Sequence, residues 1–214
     1  AVIKDGDNSV YQHGKNADGK SITKYQFEKR YEKHGTSANG TKVGETLTPY
    51  SFMGDNGHAV EGAIIDLNDN SGQNFIDKEI VGSNLGLVEY MSNATRGEEY
   101  DFKTRGIDER PEGMSRAQFT YRGMKFNEKI ASARDIGNYG AGFVAGNNGL
   151  DWGTARIGFD ALESYQQGSL SSEGRATQSA QRLGHSLGYS RYQAKEFKRN
   201  WERATERFPR GPKF

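Results

Sequence analysis

Residues 131–146, ASARDIGNYGAGFVAG, constrain the fold more than any other stretch. Each glycine inside a helix costs about 1 kcal/mol relative to alanine, so the four here, Gly137, Gly140, Gly142 and Gly146, require a structural reason. Gly137, Ala141 and Ala145 recur on one helical face, where missing bulk lets another backbone come close, while Tyr139 and Phe143 point elsewhere. Arg134 and Asn138 lie one turn apart with Asp135 adjoining, so the same helix carries polar groups on a tightly packed support, as the wall of an active site requires.

A chain of 214 residues can bury one sizeable core. With only 33% apolar residues and a mean hydropathy of −0.89, that core is compact and surrounded by polar loops. Net charge is +1, which supplies no whole-molecule field to argue for nucleic acid or a membrane surface. The absence of cysteine excludes disulfides, thiolate metal sites and a cysteine nucleophile. No run approaches the ~20 apolar residues of a membrane span. The opening AVIKDGDNSVY lacks the basic and apolar regions of a secretory signal, so export is expected to rely on something outside this sequence.

Turn chemistry dominates the first third. Val2-Ile3 and SVYQ flank DGDN as a hairpin. Thr23 to His34 reads as a helix, with Thr23 and Gln26 as a capping box, Ile22 stapling Phe27 and Gly35 as the stop. VGETLTPYSFM and HAVEGAIIDL alternate as a strand pair around GDNG. Helices are expected over Gln73–Val81 and Leu85–Ala94, then an extended EEYDFK, a polar loop TRGIDERPEGMSR and a strand at FTYRGMKF. The glycine-rich helix follows, with further helices over Trp152–Gln167, Thr177–Leu187 and Tyr192–Phe208. In the last, Phe197, Trp201, Ala204 and Phe208 form a stripe expected to pack. The class is α+β: residues 1–64 as a small β-containing portion or connector, and 65–214 as a mainly helical core with a basic C-terminal helix.

Zincin, P-loop, dinucleotide-binding and nucleophile-elbow motifs are all missing. Asp66, Asn68, Asp69, Asn70 and Asp77 have calcium-ligand chemistry, but the glycine and terminal glutamate of an EF-hand are out of register; the segment reads as a capped helix start, and neither metal nor cofactor is expected. In an extended backbone Asp101 and Lys103 would share one face while Tyr100 and Phe102 turn to the core. That presents a carboxylate and an ammonium together, with Glu98 and Glu99 nearby; a weak surface ion pair explains it equally well. Arg134 and Asn138 can clamp an anionic or hydroxylated substrate, the plainer reading being an Arg134–Asp135 pair at a helix start. Of the four histidines, His185 is the candidate proton carrier, while His13, His34 and His58 fall in turn-rich sequence. Around the C-terminal helix Arg191, Lys195, Lys198, Arg199 and Arg203 outnumber Glu196, Glu202 and Glu206, as a phosphate-binding face, a solvated face or a docking site for a partner would.

YDFK (100–103), ARDIGNYGAGFVAG (133–146), NGLDWGTARIGFDALESYQ (148–166) and EG…TQSAQRLGHSLGY (173–189), in that order, resemble C-terminal toxin domains of bacterial polymorphic and Rhs-repeat effectors, most closely the family called bacterial toxin forty-four. The resemblance spans roughly residues 65–190. It implies a secreted antibacterial domain delivered into a competing cell, with a cognate immunity protein and a larger delivery protein, an Rhs shell or secretion apparatus, as partners. The expected catalytic set is Asp101, Lys103, Arg134, Asp135, Asn138 and His185, with Tyr100, Tyr139 and Arg182 contacting substrate. Three activities follow. The first is a metal-independent nuclease acting on RNA, with Arg134 and Lys103 stabilising phosphorane charge. The second is a peptidoglycan-cleaving glycosidase using a carboxyl pair drawn from Glu98, Glu99, Asp101 and Asp135. The third is a binding or adaptor domain without catalysis.

Overall fold

The computed structural model describes residues 2–4, 8–12, 26–28, 41–54, 57, 60, 63–95, 97–169 and 172–207, and the fold is α+β. Strands β1 (Val2–Lys4), β2 (Ser9–Gln12), β3 (Gln26–Glu28) and β4 (Thr41–Glu45) form one sheet in the order β3-β1-β2-β4. The expected hairpin is present, with Val2 opposite Tyr11 and Ile3 opposite Val10. The helix expected over 23–34 is not what Gln26–Glu28 form: they run as a strand parallel to β1, where pairing to a sheet edge outweighs a local capping signal. The rest of that segment lies outside the described residues.

A second sheet joins β5 (Ile65–Asp66), β6 (Gly123–Phe126) and β7 (Lys129–Ser132), with β5 parallel to β6 and β6 antiparallel to β7. A bridge from Thr46 to Ile130 ties the two sheets. The strand expected over FTYRGMKF forms only in its second half, Gly123–Phe126; the first two residues end a helix. Ser115 and Gln118 make a reciprocal capping box that starts α3 (Arg116–Thr120), and the chain becomes extended only at Gly123. The strand expected across VGETLTPYSFM ends at Glu45, and Thr48 and Ser51 fold the following residues into turns through mutual hydrogen bonds. Asp66 and Asp69 accept the backbone N–H groups of Asn68 and Ser71, which leads into α1 (Ser71–Asn74) and a π-helical continuation over Phe75–Val81.

Helix α2 (Leu87–Asn93) follows, and then the glycine-rich α4 (Ala133–Asn147), α5 (Trp152–Gln167) and α6 (Arg175–Arg207). Residues expected as two final helices form one of 33 residues, because Gly188 sits inside it as a point of contact rather than as a stop. The buried core gathers around α4: Ile136, Tyr139, Phe143 and Val144 meet Phe75, Ile76, Ile80, Tyr90, Phe102 and Phe126. A smaller cluster of Val10, Phe52, Ala63, Ile65, Tyr121 and Ile130 lies between the sheets.

Close approach explains two of the four glycines of α4, Gly142 and Gly146, on a different face from the one expected. A Cβ on Gly142 would lie 1.9 Å from the Gln181 carbonyl oxygen, and one on Gly146 would lie 2.4 Å from that of His185. From the other side, Gly184 would meet the Tyr139 oxygen at 1.9 Å and Gly188 the Phe143 oxygen at 2.2 Å. Two helices thus touch backbone to backbone through four positions. Gly137, Ala141 and Ala145 instead border a cavity. Gly142→Ala or Gly184→Ala is expected to destabilise the chain by about 1–3 kcal/mol or more, since backbone rather than a mobile side chain must yield. Gly158→Ala in α5 meets nothing within 4 Å and should stabilise by about 0.5–1 kcal/mol. Urea unfolding of the three variants checks this, and equal midpoints would contradict the packing account.

Candidate functional site

The cavity bordered by α4 has a volume of about 130 Å³, on the scale of cavities that hold one six-membered ring. Leu87, Tyr90 and Met91 of α2 form one wall, and Ala155, Gly158, Phe159 and Leu162 of α5 the opposite one. Asn138 from α4, Asp101 and Lys103 from the YDFK loop, Glu163 from α5, Glu173 before α6 and Gln181 within α6 bring polar groups to it. Small residues on α4 make this space: Gly137, Ala141 and Ala145 leave a trough that larger side chains would fill.

The YDFK loop is folded, not extended. The Asp101 carbonyl accepts from the backbone N–H groups of Thr104 and Arg105 at 3.1 and 2.8 Å. Its carboxylate Oδ2 accepts from the Thr104 hydroxyl and, at 3.2 Å, from the Gly97 N–H. Alternation therefore fails: Asp101 is buried along with Tyr100 and Phe102, while Lys103 is exposed. Both charged residues nevertheless line the one cavity. Two arginines that sequence reasoning missed hold the loop from behind. Arg122 lies over the Phe102 and Phe119 rings and donates to the Phe102 and Lys103 carbonyls. Burial, only partly opposed by Asp69 and reinforced by Arg105, lowers its guanidinium to about 10. Arg105 pairs with Glu79 at 2.7 Å and covers Phe75 and Phe102. Tyr90 stacks on Tyr100 and its phenol is pushed up, first by burial and then by the charge of Asp101.

At the other end, Arg156 organises a half-buried polar network. Its Nη1 donates to Glu173 at 2.7 Å and to the Gln181 amide oxygen at 3.0 Å, and its Nη2 meets Asp160. Asp160 also accepts the Glu173 backbone N–H at 2.9 Å. One cation is thus shared between two carboxylates. Burial raises the Glu173 carboxyl above its ordinary range; hydrogen bonds from Arg156 and Gln181 oppose the rise and the charge of Glu163 adds to it. Glu163, Glu173 and Arg156 all sit within stretches quoted above for their order, but no spacing rule singled them out as a set.

Tyr100 also lines the cavity, and the other expected residues lie elsewhere. Arg134 is buried, and its guanidinium donates to the Met53 carbonyl at 2.6 Å, the Tyr50 carbonyl at 2.9 Å and the Tyr121 hydroxyl at 3.0 Å. Asp135 exchanges hydrogen bonds with the N-cap Ser132 and lies 3.6 Å from Arg134; burial raises its carboxyl despite that cation. Together they fasten the start of α4 to residues 50–53, across the 64/65 division drawn from the sequence, and neither lines the cavity. Tyr139 packs edge-on against Phe126 in the core. His185 is buried between Trp152 and Tyr189, with Nε2 donating to the Leu150 carbonyl at 2.8 Å, and Arg182 lies over Trp152. Among the described residues, no three acidic or histidine side chains gather closely enough to hold a metal ion. No described helix is long and apolar enough to cross a membrane. Comparisons with protein-family models, with curated proteins and with solved structures find no match to the chain.

Two measurements follow from this geometry. Arg134→Gln removes one partner of a buried ion pair and should lower stability by about 3–5 kcal/mol in denaturant titrations; an unchanged midpoint would free Arg134 for another role. Glu173 binds its proton more tightly in the folded chain than in the unfolded one. Its contribution to stability is therefore complete below the ordinary glutamate value of 4.5 and lost as pH rises through the raised folded value. Glu173→Gln should flatten the fall in urea midpoint above about pH 4.5. Superimposable pH profiles for the variant and the parent would contradict the assignment.

Proposed function

We propose that this chain is a hydrolase of the polymorphic-toxin kind, delivered into competing bacteria, and that it cleaves a wall glycan in the cavity between α2, α4 and α5. The observation that carries this reading is the lining of the cavity: Asp101, Glu163 and Glu173 contribute to it together with Lys103, between aromatic and aliphatic walls. Glu173 is already met by Arg156, so the cavity offers carboxyl groups rather than a cluster of free cations; that suits an uncharged sugar, for which paired carboxyls are the working groups of hydrolysis. In this mechanism the raised carboxyl of Glu173 protonates the departing glycosidic oxygen. Asp101, fixed by Thr104 and Gly97, is the second carboxylate: it either takes a proton from the water that bonds to the anomeric carbon or bonds to that carbon itself and is released by water, and the amides of Asn138 and Gln181 bind hydroxyl or acetamido groups.

The RNA-nuclease reading keeps one supporting observation, the basic cluster of Arg191, Lys195 and Arg199 on α6, whose mutual repulsion, after burial, lowers the Lys195 ammonium. It keeps Lys103 at the cavity but loses Arg134 and His185, which are engaged with backbone carbonyls away from it. The immunity protein and delivery protein belong to this proposal as partners; the resemblance supports them.

Expression in the periplasm should round and lyse cells, and cytoplasmic expression should be tolerated. Purified protein should release muropeptides from isolated sacculi. Glu173→Gln and Asp101→Asn should each reduce release by about 100-fold, near 2.7 kcal/mol of transition-state stabilisation, with little change in melting temperature. Cytoplasmic killing with RNA breakdown and intact sacculi would overturn the glycan reading in favour of the nuclease. Absence of toxicity in both compartments would support the adaptor.

A further inference from the structure

Helix α6 packs on α4 through Ala180, Gln181, Gly184, His185 and Gly188, all buried. Its opposite side carries a second stripe that has no partner among the described residues. Leu183, Leu187, Ser190, Ala194, Phe197, Trp201 and Ala204 recur at alternating intervals of four and three residues, and every one of them is exposed. Phe197 and Trp201, which the sequence led one to expect against the core, are 72% and 64% accessible; Leu183 and Leu187 are 44% and 51%. From Phe197 to Glu206 no residue is covered. A strict four-three spacing over three heptads is the signature of a coiled-coil seam, because only a helix laid along it meets successive positions in register. The central Ser190 hydroxyl is already satisfied by the Ser186 carbonyl at 2.9 Å, so it can be covered without losing a partner.

Charge beside the seam identifies the occupant. With Leu187, Ala194 and Trp201 at a and Leu183, Ser190, Phe197 and Ala204 at d, the flanking e positions include Lys198 and also Arg191, whose guanidinium reaches the Val81 carbonyl at 3.4 Å and lies near the Phe143 ring, and the g positions are Ser186, Gln193, Asn200 and Arg207. None of these flanking residues is acidic. Glu196, Glu202 and Glu206 fall at c, b and f, on the outer side, where Glu196 pairs with Arg199 at 2.9 Å and Glu202 with Lys198 at 3.9 Å. A second copy of the chain would therefore bring no opposite charge to the seam in either orientation. We infer that α6 is a docking helix for a partner protein that presents an amphipathic α-helix with an apolar stripe flanked by aspartate or glutamate. Phe197 and Trp201 are its anchors, and the small Ser190 and Ala194 let the two backbones come close. This inference does not rest on the hydrolase reading.

The test uses the full chain and a synthetic three-heptad helix with Leu at a and d and Glu at e and g, whose own flanks repel and keep it from self-pairing. Trp201 fluorescence should shift to the blue and become shielded from acrylamide as the peptide binds, while a Trp152→Phe background confirms the source of the signal. A peptide with Lys at e and g should bind at least tenfold more weakly, about 1.4 kcal/mol. Phe197→Ala and Lys198→Glu should each weaken the acidic peptide to a similar degree without lowering the melting temperature, since both side chains are exposed. Equal binding of the two peptides, or none at roughly 100 μM, a dissociation constant worth only about 5.5 kcal/mol, would overturn the inference. So would self-association of the chain that Phe197→Asp abolishes, or tighter binding to phosphatidylglycerol vesicles than to the acidic peptide.

Discussion

Direct backbone contact between α4 and α6 is the constraint on which the rest of the molecule depends. Gly142 and Gly146 face Gly184 and Gly188 at separations that admit no Cβ, so the two helices are locked in one register. That register sets Gln181 at the edge of the cavity and His185 against the Leu150 carbonyl, at the turn into α5. It also leaves the other faces of α4 free for different tasks. One packs Ile136, Tyr139 and Phe143 into the core, and one lends Asn138 and its small neighbours to the cavity. The conformational penalty of glycine in a helix is repaid here by dispersion contacts between two main chains.

Charge is partitioned as clearly as packing. Arg134, Arg122 and Arg105 are turned to backbone carbonyls, carboxylates and aromatic faces, where they fasten the α4 start and the YDFK loop. Buried guanidinium groups of this sort are tolerated because their donors are met by fixed acceptors. The cavity, by contrast, holds more carboxylate than cation, and Arg156 is divided between Asp160 and Glu173. An incompletely neutralised acid in a partly dry site is the condition under which a carboxyl retains its proton. Carboxyls that would be an electrostatic liability in a core are, at a cavity wall, the groups on which the proposed hydrolysis draws.

Local signals in the sequence read well where local chemistry decided the outcome. The first hairpin, the glycine-rich helix, α5 and the α+β class all follow from turn residues, caps and periodicity. Asp101, Lys103 and Asn138 do line one cavity, but through a folded loop rather than the alternation expected, and Arg134, expected with them, does not join them. Errors arose where a distant partner decided. Gln26–Glu28 joined a sheet edge despite a helical cap. The YDFK loop failed differently: Asp101 curls it through near neighbours, Thr104 and Gly97, a local turn that the alternating pattern masked. Arg134 looked like a substrate clamp because its acceptors, the carbonyls of Tyr50 and Met53, lie some eighty residues earlier and carry no side-chain signature. Glu163 and Glu173 were illegible for the converse reason: only the packing of α5 and α6 gives them a common cavity with Asp101.

The central claim is that the motif residues were gathered around one cavity to bind a glycan there. It is tested most directly by backbone amide chemical shifts of the full chain carrying Asp101→Asn, titrated with the N-acetylglucosamine–N-acetylmuramic acid disaccharide. Shifts concentrated at residues 101–103, 138, 163, 173 and 181, with Arg134, Arg182 and the end of α6 unmoved, are the expected result. Shifts confined to the basic face of α6, or no shifts with the disaccharide and strong ones with a short RNA, would contradict it.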